Sequence, residues 1–298
     1  MFFNEEIFGI VFINQMAIGI IGNLLLLYIL IFSRDYKGKP IDLILIHLSI
    51  INILLLLFKG ISRTLTLFGI MHFLKDIGCK IMVYLDRVFR ILSFINVCLL
   101  SSFQAITISS NSSVCVMLKA KAIKYIIPFF ILSWILTLLT EAITPIYMII
   151  LINSSSFMNS WNWGYCVFSI QATNAFNIIL WKAFHDVVWF GLTICNSVYI
   201  IFIMQSHHKR VLHIHSTSFF PGISPEIKAT KTVMILVSSF IFFHLVSFIC
   251  FLITMSSSRL TSSRMMHISA FMTGCFPTLC PFVLITSISK VSRTHFSE

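Results

Sequence analysis

The chain has 298 residues, 58% hydrophobic and 10% charged, with 21 Lys and Arg against 10 Asp and Glu for a net charge of +11. A soluble domain carries about 25% charged residues, and a water-soluble fold this apolar would expose patches that aggregate, so composition excludes an ordinary soluble protein. The basic residues are spread through short segments between apolar runs rather than gathered in one patch; this argues against nucleic acid and suits a cytoplasmic membrane face, where anionic lipid attracts Lys and Arg.

A helix needs about 20 apolar residues to cross the hydrocarbon core, and the runs are continuous rather than alternating, which excludes barrel strands. Seven spans fall near 7–32, 41–66, 79–109, 122–150, 183–206, 228–254 and 265–288. They predict an all-α seven-transmembrane-helix bundle, 1–298 forming one domain with no linker or repeat. Glu5 and Glu6, not a basic leader, precede the first span, which is expected to act as its own uncleaved insertion signal. In the second, Lys59 and Arg63 are expected to snorkel to the surface. The third opens at Cys79 and carries Asp86, Arg87 and Arg90 two to three turns in. Glu141, Pro128 and Pro145 fall in the fourth, His185 and Asp186 in the fifth, His244 in the sixth, and Pro277 and Pro281 in the seventh. Each proline removes a helix hydrogen bond and marks an expected bend. The longest polar connections are 151–182 and 207–227.

An odd span count puts the termini on opposite sides. Arg34, Lys37 and Lys39 lie in the first connection, Lys119, Lys121 and Lys124 in or beside the third, Lys209, Arg210, Lys228 and Lys231 in or beside the fifth, and Lys290 and Arg293 in the tail. The alternate connections hold mainly Lys75, Lys182, Arg259 and Arg264. The positive-inside rule therefore predicts an extracellular N-terminus and a cytoplasmic C-terminus. Asn153-Ser154-Ser155, an N-glycosylation sequon, then falls outside and Asn111-Ser112-Ser113 inside.

Ionisable groups at membrane depth cost several kcal/mol unless paired or hydrated, so they are functional candidates. Asp86 and Arg90 share a helix face and can pair within the helix; alternatively the cluster faces an aqueous ligand cavity. A cavity-facing Asp86 favours a cationic ligand group, whereas an Asp86 neutralised by Arg90 leaves Arg87 as a free positive charge favouring anions. Glu141, His185, Asp186 and His244 add candidate ligand contacts. Cys79 and Cys166 both face an oxidising compartment in this orientation, so a bridge is permitted; two unpaired cysteines remain the alternative. No nucleophile elbow, His-Glu-x-x-His or phosphate loop occurs, so no enzyme is indicated. His207, His208, His213 and His215 sit in a basic inner segment without nearby Cys, Asp or Glu, and read as a polar strip rather than a metal site.

The stretches 39–48 (KPIDLILIHL), 73–80 (FLKDIGCK), 98–109 (CLLSSFQAITIS), 133–139 (SWILTLL), 207–215 (HHKRVLHIH), 224–231 (SPEIKATK) and 281–285 (PFVLI) resemble vomeronasal type 1 receptors, in order and over nearly the whole chain. The resemblance implies a plasma-membrane G-protein-coupled receptor for pheromones or related small molecules, signalling through an inhibitory-type heterotrimeric G protein. It also implies the Cys79–Cys166 bridge, a glycan at Asn153, and no cofactor. Lys209, Arg210, Lys228 and Lys231 are the expected G-protein contacts. The chain departs from the family at Asp86, where an aromatic residue is common, and at Ser110, which stands where a proline often follows the stretch ending at Ser109. The Asp-Arg-Tyr and Asn-Pro-x-x-Tyr motifs of rhodopsin-like receptors are missing; Ser102-Phe103-Gln104 and Cys280-Pro281-Phe282 stand nearby. A bitter-taste-type receptor is the nearest alternative. A secondary transporter is the alternative of another class, against which the lack of internal repeats and paired broken helices argues.

Overall fold

The computed structural model describes residues 2–32, 39–67, 75–108, 113–143, 145, 148–150, 161–163, 166–168, 175–214, 225–256 and 259–295. Seven helices dominate: α1 (Phe2–Phe32), α2 (Pro40–Leu67), α3 (Lys75–Ile108), α4 (Ser113–Glu141), α5 (Ala175–Ile214), α6 (Pro225–Ser256) and α7 (Arg259–His295). Each contains a stretch long and apolar enough to cross a membrane. Pro40 and Pro225 open α2 and α6, where a fixed φ suits the first helical position and the missing N–H costs nothing.

The burial pattern is inside out relative to a soluble bundle. Large apolar side chains such as Ile21, Leu24, Tyr28, Phe184, Tyr199 and Phe202 are exposed, while Asn23, Asn52, Asn96, Asp86, Arg87 and Glu141 are buried. Lipid satisfies the former at no cost, and polar groups must find partners between helices. α3 is the axis of the bundle: two thirds (67%) of its span is buried, against 17% for α5 and 22% for α4. Leu26, Leu48, Phe94, Leu100, Leu236, Phe240 and Phe276 meet in its main apolar core.

Two polar clamps fix the helices. His47 of α2 meets the Asn96 carbonyl of α3 through Nδ1 at 2.8 Å, and Trp134 Nε1 of α4 donates to His47 Nε2 at 2.9 Å. Because Nε2 accepts, Nδ1 carries the proton and donates to Asn96. The second clamp answers a proline. Pro281 has no N–H, which leaves the Pro277 carbonyl one turn earlier without its helical donor. Asn23 Nδ2 of α1 donates to that carbonyl at 2.9 Å and to Gly19 O at 2.7 Å, while Asn52 Nδ2 of α2 donates to Asn23 Oδ1 at 3.3 Å. Close approach there requires Gly19: a Cβ on it would lie 2.5 Å from Leu56 Cδ1 and 3.3 Å from the Thr278 backbone.

Three differences from the sequence reading matter. The fourth span ends at Glu141, not near 150. The cause is Pro145, which cannot donate a helical hydrogen bond and disfavours helix in the residue ahead of it; Pro145 therefore lies beyond α4 and bends no span. The apolar residues that follow form β1 (Met148–Ile150) instead, in a small antiparallel sheet with β2 (Trp161–Trp163) and β3 (Cys166–Phe168), ordered β1-β3-β2. Finally, α5 and α7 outrun the expected spans at both ends.

Candidate functional site

The sheet marks one end of the bundle. There Ile150 and Trp163 both pair with Cys166 in register, and β1 lies against α3. The side chains of Cys79 and Cys166, and all of Asn153, lie outside the described residues. On the bundle side of the sheet, α3 presents Arg87 to α4 and α5. Arg87 Nη1 and Nη2 donate to Asp186 Oδ2 and Oδ1 at 2.8 and 3.1 Å, and Nε donates to Glu141 Oε2 at 3.4 Å. The planar guanidinium matches a carboxylate bidentately, which a lysine cannot do. Arg87 and Glu141 are buried, whereas the Asp186 side chain keeps 29% of its surface.

Three of the candidate ligand residues thus converge from three helices. Tyr84, one turn before Arg87, donates its hydroxyl to Leu138 O of α4 at 2.9 Å and ties the same two helices. His185 accepts from Trp189 Nε1 at 3.1 Å on its own helix. His244 of α6 lies against Phe94 and Phe240, at ring-centroid distances of 4.5 and 4.3 Å; among the described residues its contacts are these rings rather than a hydrogen bond.

Asp86 and Arg90 form the expected pair within α3, Arg90 Nη2 to Asp86 Oδ2 at 2.8 Å. The expectation that this pairing leaves Arg87 a free positive charge does not hold, because successive helix positions point some 100° apart and Arg87 faces two carboxylates on other helices. Nor does Lys59 snorkel. It points inward with 6% of its surface exposed, and its ammonium donates to Thr273 Oγ1 of α7. The Thr273 hydroxyl in turn donates to Ala270 O at 2.9 Å. Arg63, half-buried, lies within electrostatic reach of Asp86 and Arg90. Lys59 was legible in principle: it follows Leu55 and Leu56 at helical spacing, on the face that also buries Ile51 and Asn52.

At the opposite end, Lys209 and Arg210 lie in the last turns of α5, and Lys228 and Lys231 in the first turns of α6. Lys231 is exposed; the side chains of the other three lie outside those described.

Comparison with known proteins agrees with this architecture. The model of the vomeronasal organ pheromone receptor family matches residues 6–297. Human vomeronasal type-1 receptor 4 is 35% identical over 288 residues, covering 96% of this chain and 95% of the relative. Zebrafish (Danio rerio) olfactory receptor class A-like protein 1 is 26% identical, covering 95% and 90%. Among solved structures, the crystal structure of squid rhodopsin superposes with a TM-score of 0.71 at 15% identity, over 99% of this chain and 86% of that one.

Proposed function

The chain belongs to the vomeronasal type 1 receptor family, and on that premise we propose that it detects a small chemosensory ligand at the sheet-bearing end and activates an inhibitory-type heterotrimeric G protein at the other. It is a multi-pass membrane receptor with a G-protein-coupled receptor fold, not an enzyme. The whole chain works as one seven-span domain in the plasma membrane, N-terminus outside, an orientation supported by the Lys and Arg bias of the connections. A Cys79–Cys166 bridge and a glycan at Asn153 belong to the same reading. The partners are a pheromone or related small molecule, the G protein and membrane lipid.

The observation that carries this reading is the Arg87–Glu141–Asp186 cluster, which joins α3, α4 and α5 through buried charge. Intramembrane ions of this kind mark ligand or ion pathways. A ligand that binds one helix arrangement better than another shifts the population by that difference in affinity. Asp86, Arg90, His185 and His244 flank the same half of the bundle as further ligand contacts. At the other end, Lys209, Arg210, Lys228 and Lys231 offer a basic surface to the G protein.

The test is a screen of small organic molecules on cells expressing the chain with an inhibitory-type G protein, read as calcium or cyclic-nucleotide change. The reading expects at least one molecule to act on these cells and not on matched cells lacking the chain. Concentrative uptake of an active molecule into sealed vesicles, without any G-protein signal, overturns it in favour of a transporter.

A further inference from the structure

The two asparagines of α1 point in opposite directions. Asn23 faces the bundle and donates to Pro277 O. Asn14 stands nine residues earlier, about two and a half turns, so it projects from the far side of the helix, where it is exposed. Its Nδ2 donates to Ile10 O of its own helix at 3.0 Å, and among the described residues its Oδ1 accepts no hydrogen bond. The span begins at Ile7. Asn14 therefore lies about 10 Å inside the hydrocarbon at roughly 1.5 Å per residue, too deep for a short carboxamide to reach water. Lipid tails offer it no hydrogen bond.

The face around Asn14 has the spacing of a helix–helix seam. Ile7, Ile10, Asn14, Ala17, Ile21 and Leu24 follow one another at alternating steps of three and four, and all are exposed. The bundle does not cover this stripe, because α1 packs inward through its opposite side, with Gly19 against Leu56 and Thr278 and with Leu26 and Leu30 in the core. A seven-residue repeat keeps one stripe against a partner helix along its length, and a single polar residue within it fixes register and strand number. Ala17, one turn on from Asn14, lets two backbones come close, as small residues do where membrane helices meet.

We propose that α1 seats a second copy of this chain in a parallel, two-fold contact, with Asn14 hydrogen-bonded to Asn14 of the other copy. Copies inserted the same way up carry Asn14 at the same depth. A carboxamide holds both donor and acceptor, so two of them across a two-fold axis satisfy each other. From Ile7 to Leu25 the other exposed side chains of α1 are Ile, Val, Leu and Ala. They present no charge or hydrogen-bonding group that would select a different partner, so the self-complementary Asn14 decides the occupant. The proposal goes beyond the receptor reading and depends on neither its ligand nor its G protein.

The test uses the purified full chain in liposomes that contain no other protein. Copies carrying a donor or an acceptor fluorophore at the C-terminus are mixed and progressively diluted with lipid. Energy transfer is expected to exceed that of randomly placed chains and to fall by half at a defined surface density. Asn14→Leu, whose side chain lipid accepts, is expected to raise that density about fivefold, the loss of interhelical hydrogen bonds in a membrane. Transfer no greater than random in the unaltered chain, or an unshifted density in Asn14→Leu, overturns the proposal. A second measurement locates the contact. A benzophenone side chain placed at Ile21 should join two chains on illumination, whereas one placed at Leu245, on the exposed face of α6, should not. Equal yields at the two positions place the contact elsewhere and also overturn it. The cross-link leaves Asn14 unchanged, so it decides the question should Asn14→Leu fail to insert.

Discussion

Replacing Arg87 by methionine removes the cation that holds Glu141 and Asp186 together. Glu141 has 3% of its side-chain surface exposed, so water cannot take over from the lost guanidinium. Breaking a buried ion pair by removing one partner costs about 3–5 kcal/mol, because the other charge is left uncompensated. Asp186 adds less, since its 29% exposure lets water screen it; Asp186→Asn alone should cost about 1–2 kcal/mol, mostly from the weakened charge-assisted hydrogen bonds. Removing both charges of the buried pair tests the argument. The double variant Arg87→Met with Glu141→Gln should be less damaged than the two single losses summed, by about 1–3 kcal/mol. The assay is thermal inactivation of the purified chain, with surface level in cells as a second readout. If Arg87→Met matches the unaltered chain within about 0.5 kcal/mol, or if the two losses simply add, the cluster is not the electrostatic link described here.

Two further outcomes follow from the packing and a third from the proposed Cys79–Cys166 bridge. His47→Phe strands the Trp134 N–H and the Asn96 carbonyl together, so it should cost about 2–4 kcal/mol in thermal inactivation, roughly the penalty of two unmet buried groups, with Trp134→Phe milder. Gly19→Leu should nearly abolish surface expression, because its side chain meets Leu56 and the Thr278 backbone, whereas Gly191→Leu, with nothing within 4 Å of the added Cβ, should be expressed normally; equal expression of the two contradicts the packing. Cys79→Ser and Cys166→Ser should each lower surface expression, and the double variant should match either single, as coupled residues do; a mass-spectrometric map with both thiols free refutes the bridge.

The bundle was legible because lipid imposes a length and a composition on every crossing segment, and only helices or a closed barrel satisfy the backbone there, the barrel being excluded by the continuous apolar runs. Hydropathy misjudged what it does not measure. The stretch 146–151 is as apolar as a span, yet Pro145 ends the helix before it, and Met148–Ile150 pair as a strand. Both ends of α7 and the C-terminal end of α5 were missed because they run on into polar sequence, whereas the missed N-terminal end of α5, AFNIILWK over 175–182, is largely apolar. In the site, the Asp86–Arg90 pair followed from spacing along one helix. The partners of Arg87 did not, since they depend on how α3, α4 and α5 are rotated about their own axes, which no single-helix pattern encodes. Lys59 was misread for a related reason: position near a span's end suggested snorkelling, while the helical phase of Ile51, Leu55 and Leu56 pointed the side chain inward.

The central claim is that ligand occupancy at the sheet-bearing end controls a G protein at the other. The direct measurement is nucleotide exchange on a purified inhibitory-type heterotrimer, mixed with the chain in lipid discs, with and without an agonist from the cell screen. The account predicts agonist-dependent exchange, sharply reduced when Lys209, Arg210, Lys228 and Lys231 are all changed to Gln, with agonist affinity nearly unchanged. Exchange that ignores the agonist, or persists in full in the fourfold variant at equal protein level, contradicts it.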